Sequence, residues 1–223
     1  MKYYAIIVGG GSGSRMQSET PKQFMLLNGK PILMHTIEAF YYSDLKPEII
    51  LVLNIDYHIF WENLCIKYKF SVPHTLVKGG LQRFNSVKNG INLIKGKAII
   101  AIHDAVRPLP SNKLITRSFI AAEATGNAIA ALKSKDSVRQ QNGNLSKSLN
   151  RDQIYLVQTP QTFKSEILSK AYKQDYRNEF TDDASVVERM GISINIIEGE
   201  SQNIKITFPE DILLAEFLLN RNK

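Results

Sequence analysis

Tyr3-Tyr4-Ala5-Ile6-Ile7-Val8, followed by Gly9-Gly10-Gly11-Ser12-Gly13-Ser14-Arg15-Met16 and then Pro21-Lys22-Gln23-Phe24, is the stretch on which the reading of this chain turns. An apolar run of strand length breaks into a loop with four glycines in five residues. Arg15 and Lys22 follow seven residues apart, and a helical pattern begins soon after. Strand, glycine loop and cations together form a place where backbone amides can wrap a polyphosphate. A nicotinamide fingerprint is not met: counted from Gly9 its third glycine falls on Ser14, and counted from Gly11 on Met16. The Walker-type Gly-x-x-x-x-Gly-Lys-Ser/Thr pattern is absent too. Two cations in the loop suit a triphosphate, which leaves a loop of the nucleotide-sugar pyrophosphorylase type.

Outward from that loop, apolar strands alternate with helical periods. Ile32 to Tyr42 reads as a helix, Glu48 to Leu53 as a buried strand, and Tyr57 to Tyr68 as a helix with Ile59, Phe60, Leu64 and Tyr68 on one side. His74 to Val77 is a short strand that Gly79-Gly80 turns into a helix over Gln82 to Ile94. Ala98 to Ile102 is a strand ending at His103-Asp104; Asn112 to Glu123 is a helix that Gly126 stops before the strand Ala128 to Leu132. This rhythm predicts an α/β fold with a mostly parallel sheet covered by helices on both faces. Ligands then sit beyond the carboxyl ends of the strands, where the loops at Gly9–Arg15, Gly79–Arg83 and His103–Arg107 should gather.

The rhythm breaks at two polar alternating stretches, Asp136 to Gln141 and Asn144 to Leu149, flanking Asn142-Gly143, a strong hairpin signal. A polar two-stranded arm over about residues 134–153 has little to bury alone, so we expect it to protrude and pack on a second copy. After Tyr155 the chain returns to the core, with helices over Ile167 to Tyr172 and Ala184 to Met190, the latter capped by Thr181-Asp182. Strands are expected at Ser193 to Glu198 and Ile204 to Thr207, and Pro209 opens the last helix. No linker divides residues 1–223, so a single domain is expected, with the hairpin as an arm.

With 223 residues and a formal charge of +7, the chain can bury a core and favours anionic partners. Its cations are scattered rather than clustered, which argues against nucleic acid and leaves phosphorylated small molecules. No apolar run nears the ~20 residues of a membrane span. The lone Cys65 rules out a disulfide framework and a cysteine zinc site. The chain enters a strand at once, so we expect no signal peptide and a cytoplasmic protein.

Several blocks now resemble one family. Gly10-Gly11-Ser12-Gly13-Ser14-Arg15-Met16 with Pro21-Lys22-Gln23-Phe24 is the first, and Gly79-Gly80-Leu81-Gln82-Arg83-Phe84-Asn85-Ser86-Val87 the second. His103-Asp104-Ala105-Val106-Arg107-Pro108, Gln158-Thr159-Pro160-Gln161-Thr162-Phe163, Thr181-Asp182-Asp183-Ala184-Ser185 and Gly199 to Thr207 complete the set, in order from Ala5 to Phe217. They resemble the cytidylyltransferases of sugar-alcohol phosphates, most nearly the 2-C-methyl-D-erythritol 4-phosphate cytidylyltransferases of the non-mevalonate isoprenoid route.

The resemblance implies a Rossmann-like nucleotidyltransferase fold with a β-hairpin dimerisation arm. It implies direct attack of the methylerythritol phosphate on the α-phosphorus of CTP, with Mg²⁺ or another divalent cation and no covalent enzyme intermediate. Arg15 and Lys22 match the pair that stabilises charge on the α-phosphate; Arg151 and Lys205 match the pair that positions the acceptor. Gly9, Gly10, Gly11 and Gly13 belong to the nucleotide loop. Gly80 and Ser86 match positions at cytosine and ribose, and Ala105 falls with the binding residues. Asp104 matches a carboxylate beside the metal or the ribose, and Arg107 an arginine near the substrate phosphate, with a structural Arg107–Asp104 pair left open. Thr159 and Thr181 are substrate-side positions. Ser137 stands where the family has threonine on the arm and would serve the neighbour's site in a homodimer. The chain departs in Val8-Gly9-Gly10-Gly11, where Pro-Ala-Ala-Gly is common, and in Arg139 for lysine. Two other readings compete: a ribitol 5-phosphate cytidylyltransferase, and a non-catalytic nucleotide-binding module. Thr181 to Glu188 and Arg83 to Val87 favour the methylerythritol branch.

Overall fold

The computed structural model describes residues 1–9 and 20–221. Strand β1 (Lys2–Gly9) leads to a one-turn helix at Lys22–Phe24, a small ribbon of β2 (Leu26–Leu27) and β3 (Lys30–Pro31), and helix α1 (Ile32–Tyr41). There follow β4 (Glu48–Leu53), α2 (His58–Lys67), β5 (Thr75–Lys78), α3 (Arg83–Ile91), β6 (Ala98–Asp104), α4 (Asn112–Thr125) and β7 (Asn127–Lys133). The hairpin is β8 (Val138–Asn142) and β9 (Leu145–Leu149). Then come β10 (Tyr155–Lys164), α5 (Ser165–Ala171), α6 (Asp183–Glu188), β11 (Ile196–Glu198) and α7 (Pro209–Arg221).

Seven strands form the central sheet in the order β11-β7-β10-β6-β1-β4-β5. β1 pairs in parallel with β4 and β6, and β4 with β5, as the alternating pattern requires. Period-two alternation along β1 sends Tyr4, Ile6 and Val8 to one face, with Phe84, Val87, Leu168 and Val187 of α3, α5 and α6. Ala5 and Ile7 go to the other, with Leu33, Ile37, Phe40, Ile115 and Phe119 of α1 and α4. A third cluster, of Leu27, Ile32, Val106, Ile206 and Ala215, seats α7 beside the β2–β3 ribbon.

Four expectations need correction. β10 was not anticipated as a strand, because Gln158-Thr159-Pro160-Gln161-Thr162 is polar and holds a proline. It lies antiparallel between β6 and β7, with its register broken between Val157 and Gln161, and Pro160, which has no N–H to give, falls inside the break. Buried Gln158, Thr159 and Gln161 are partnered, Gln161 donating to Asp182 at 2.9 Å and accepting from the Ala184 N–H at 2.9 Å, whereas the buried Thr162 Oγ1 finds no hydrogen-bond partner among the described residues. Ile204 to Thr207 is not a strand; this extended segment passes the end of β6, held by the Ile206 N–H on the Val106 carbonyl at 2.9 Å. The buried stripe of α2 is Trp61, Leu64, Cys65 and Tyr68, whereas Ile59 is 73% exposed and Phe60 42%. Finally, Asn142 pairs with Leu145, so the hairpin turn is Gly143-Asn144, one residue later than read. Gly143 takes φ +59°, the left-handed conformation that the first central position of a type II′ turn demands. The hairpin side chains are almost all exposed.

Candidate active site

The carboxyl ends of β1, β4, β5 and β6 meet on one edge of the sheet. Gly9 pairs with Leu53, the Gly79 N–H donates to the Leu53 carbonyl at 2.7 Å, and the Ala105 N–H to the Val8 carbonyl at 3.0 Å. A Cβ at Gly9 would lie 2.6 Å from Leu53 Cδ2 and 3.3 Å from Ala105 Cβ, so a larger residue here would need the Leu53 side chain to shift. Gln23 Nε2 donates to the Gly9 carbonyl at 3.0 Å, and Phe24 packs among Tyr57, Phe60 and Trp61. Lys22 is thereby carried to the end of β1. Gly10, Gly11, Gly13 and Arg15 lie outside the described residues.

The next loop is tied as tightly. Ser86 Oγ accepts from the Gly80 N–H at 3.0 Å and donates to the Gln82 carbonyl at 3.1 Å. A Cβ on Gly80 would stand 2.3 Å from Asn85 Cβ and 3.0 Å from its backbone carbon, which leaves room for glycine alone. Gln82 and Asn85 form a capping box that starts α3.

Asp104, the last residue of β6, is the centre of charge. Its carboxylate faces Lys205 Nζ at 2.9 Å, Arg107 Nε at 3.5 Å and Arg83 Nε at 3.7 Å. Burial alone would raise its pKa, but Arg83, then Lys205 and Arg107, hold it well below the usual carboxylate range. Its backbone N–H donates to Thr159 Oγ1 at 3.1 Å. Arg107 is mostly buried, and its Nη1 donates to the Asn203 carbonyl at 2.7 Å, so the structural pairing with Asp104 is present. His103 is fully buried beneath, its Nε2 paired with the Arg107 carbonyl at 3.0 Å; burial pushes it down to about 4 and keeps it neutral. It shapes the turn. Arg83 forms a bidentate pair with Asp183 at 2.8 and 2.7 Å, and the Tyr172 hydroxyl donates to Asp183 at 2.5 Å.

A cleft of about 310 Å³ opens here, lined by Arg83, Asp104, Arg107, Thr159, Thr181 and Lys205, with Gln158, Gln161 and Asp182. Five residues singled out from sequence thus meet: Asp104, Arg107, Thr159, Thr181 and Lys205. Ser137 and Arg151 do not. They are exposed at the base of the hairpin, where Arg151 Nη1 donates to the Lys135 carbonyl at 3.2 Å. Sequence reading passed over Arg83 and Asp183. The available signal was a cation on the first turn of α3, where the helix dipole disfavours it and a carboxylate partner is needed.

A family model described as IspD, 2-C-methyl-D-erythritol 4-phosphate cytidylyltransferase, matches residues 3–221. The chain belongs to this family. A relative so named from Azobacteroides pseudotrichonymphae is 47% identical over 97% of this chain and 98% of its own length. One from Bacteroides fragilis is 45% identical over 96% and 98%. Among solved structures, the Francisella tularensis IspD aligns with TM-score 0.81 at 33% identity, covering 97% of this chain and 99% of that one. The Anaerococcus prevotii 4-diphosphocytidyl-2C-methyl-D-erythritol synthase gives 0.83 at 28% identity, covering 98% and 96%. The mixed α/β sheet is therefore that of the IspD enzymes. No helix among the described residues is long and apolar enough to cross a membrane.

The donor set bears on the divalent cation that the family resemblance implies. Among the described residues no group of three or more His, Cys, Asp or Glu gathers to hold a metal. Asp104 supplies one carboxylate, already in contact with three cations. Among the described residues, Asp104 is thus the one carboxylate of the cleft's cation cluster that could join a hard cation held mainly by phosphate oxygens and water.

The buried His103 gives this IspD chain an acid sensitivity. Its ordinary pKa is 6.5 and its folded value about 4, so between these the unfolded chain binds the extra proton and stability falls as pH falls. The loss should approach about 3 kcal/mol by pH 4. Denaturant unfolding of the wild type and His103→Gln at pH 7 and pH 4.5 checks this: the variant should lose less on acidification, and equal losses would contradict it.

Proposed function

We propose that the chain transfers the cytidylyl group of CTP to the phosphate of 2-C-methyl-D-erythritol 4-phosphate, giving 4-diphosphocytidyl-2-C-methyl-D-erythritol and pyrophosphate. The observation that carries this is Lys205. Its ammonium is held 2.9 Å from Asp104, with its side chain 41% exposed, at the mouth of a cleft beside the nucleotide edge of the sheet. A cation oriented by a buried carboxylate, yet open to solvent, is suited to receive a phosphate dianion.

An oxygen of the acceptor phosphate attacks the α-phosphorus of CTP; the new P–O bond forms as the α–β bond breaks and pyrophosphate leaves. Two anions must be aligned and the charge growing on the α-phosphate oxygens met, which is a task of positioning and electrostatics. Gly9 to Gly13, with Gly80, Ser86 and Ala105, hold the nucleotide in this reading. Arg15 and Lys22 meet the α-phosphate charge. Lys205, Thr159 and Thr181 take the acceptor, while Arg107 and Asp104 keep Lys205 in place. Asp104 would help hold Mg²⁺ or a similar cation, which would supply further charge neutralisation.

Ser137 and Arg151 lie outside the cleft of their own chain, and the exposed polar hairpin beside them is marginal alone. We assign them to the cleft of a second copy in a homodimer joined through the hairpin. The lone Cys65, carried on a helix, agrees with a reducing cytoplasm.

Purified protein with CTP, Mg²⁺ and 2-C-methyl-D-erythritol 4-phosphate should release pyrophosphate. Release with ribitol 5-phosphate instead would move the assignment to that acceptor, and CTP binding without turnover on either would favour a binding module. Arg151→Ala should raise KM for the methylerythritol phosphate at least ~10-fold, the loss of a charge-assisted contact, with CTP affinity nearly intact. Weakened CTP binding instead would contradict the assignment of Arg151 to the acceptor.

A further inference from the structure

Arg83 occupies an unfavourable place, the first residue of α3, where its charge faces the positive end of the helix dipole. Two carboxylates hold it there. Its Nη1 and Nη2 donate to Asp183 Oδ1 and Oδ2 at 2.8 and 2.7 Å, and its Nε lies 3.7 Å from Asp104 Oδ1. Asp183 is fully buried, begins α6 directly after Thr181-Asp182, and also accepts the Tyr172 hydroxyl at 2.5 Å. Phe84, the neighbour of Arg83, stacks on Tyr172 at 4.7 Å between centroids. One planar guanidinium therefore joins three elements that carry different parts of the cleft. α3 brings Gly80 and Ser86, the end of β6 brings Asp104 and through it Lys205, and the start of α6 brings Thr181.

We infer that Arg83, locked by Asp183 and Tyr172, is a positioning residue that holds the nucleotide side and the acceptor side of the cleft in register for transfer. The inference rests on the cytidylyl-transfer reading. A bidentate fork with a third contact is a geometry that lysine cannot reproduce. Misplacement of reacting groups by about 1 Å costs ~10²-fold in rate, so the effect belongs in kcat.

The test compares wild type, Arg83→Lys, Asp183→Asn and the double variant in steady-state pyrophosphate release, with thermal midpoints beside them. Asp183 is too deeply buried to touch substrate, which separates positioning from direct contact. Each single variant should lose ~10–100-fold in kcat, with KM for both substrates within about threefold, and the double variant should lose no more than the worse single one. If Asp183→Asn does not fold, Tyr172→Phe, which removes one hydrogen bond from Asp183, should give a smaller kcat loss at unchanged KM. The inference is overturned if Asp183→Asn, or Tyr172→Phe in its place, keeps full kcat. A KM rise of ~10-fold for one substrate in Arg83→Lys would make Arg83 a direct ligand, and strict additivity would remove the coupling. An inactive wild type would sink the transfer reading itself, and with it any role for Arg83; that outcome shows in the first assay, before any variant is made.

Discussion

A single buried carboxylate, Asp104, is the constraint on which the site depends. Taking it out of water is costly, and only the cations around it keep it charged. Those cations come from separate parts of the chain: Arg83 from α3, Arg107 from the turn after β6, and Lys205 from the segment before α7. Ionised Asp104 relieves their mutual repulsion, with Asp183 sharing the charge of Arg83. The cluster therefore fixes where three distant pieces of chain must lie, and it leaves Lys205, the most exposed of the three, facing the cleft.

The sheet delivers that carboxylate. Parallel pairing of β1 with β4 and β6 sets Gly9, Leu53 and Asp104 on one edge, and the apolar faces of these strands are covered by helices. β10 contributes differently. Running antiparallel beside β6, it turns a polar block inward, where Thr159 caps the Asp104 N–H and Gln161 ties the start of α6. Gln158 accepts from the Glu200 N–H at 3.1 Å and Asn203 Nδ2 donates to the Thr159 carbonyl at 2.7 Å, which anchors the segment leading to Lys205. Arg83 and Asp183 add a second, deeper pair that carries the same order to α6.

Local signals made part of this legible. The β1 run, the stop at Gly126 and the start at Pro209 each act through a few neighbouring residues, and each stands where the sequence put it. Asp104, Arg107, Thr159, Thr181 and Lys205 were readable through the resemblance, and the fold brings them to one cleft. What failed needed tertiary information. β10 is a strand because partners satisfy its buried glutamines and because it is flanked by β6 and β7, neither of which a polar, proline-bearing run announces. On α2, Leu64 and Tyr68 pack inward as expected, but Trp61 is the residue buried between Phe24 and Phe70, while Ile59 is exposed and Phe60 meets Phe24 from the more open side. Arg83 and Asp183 are 100 residues apart in sequence, and no spacing rule joins them. The hairpin side chains, Ser137 and Arg151 among them, have no core of their own to report on.

The central claim is that Lys205, oriented by Asp104, receives the acceptor phosphate while Arg83 stays locked beneath. A crystal structure of the chain with CTP, a non-catalytic divalent cation and 2-C-methyl-D-erythritol 4-phosphate tests this most directly. The acceptor phosphate should lie within hydrogen-bond distance of Lys205 Nζ, with Arg83 still paired to Asp183. An acceptor phosphate bound away from Lys205, or an Arg83 swung off Asp183 onto a phosphate, would contradict it.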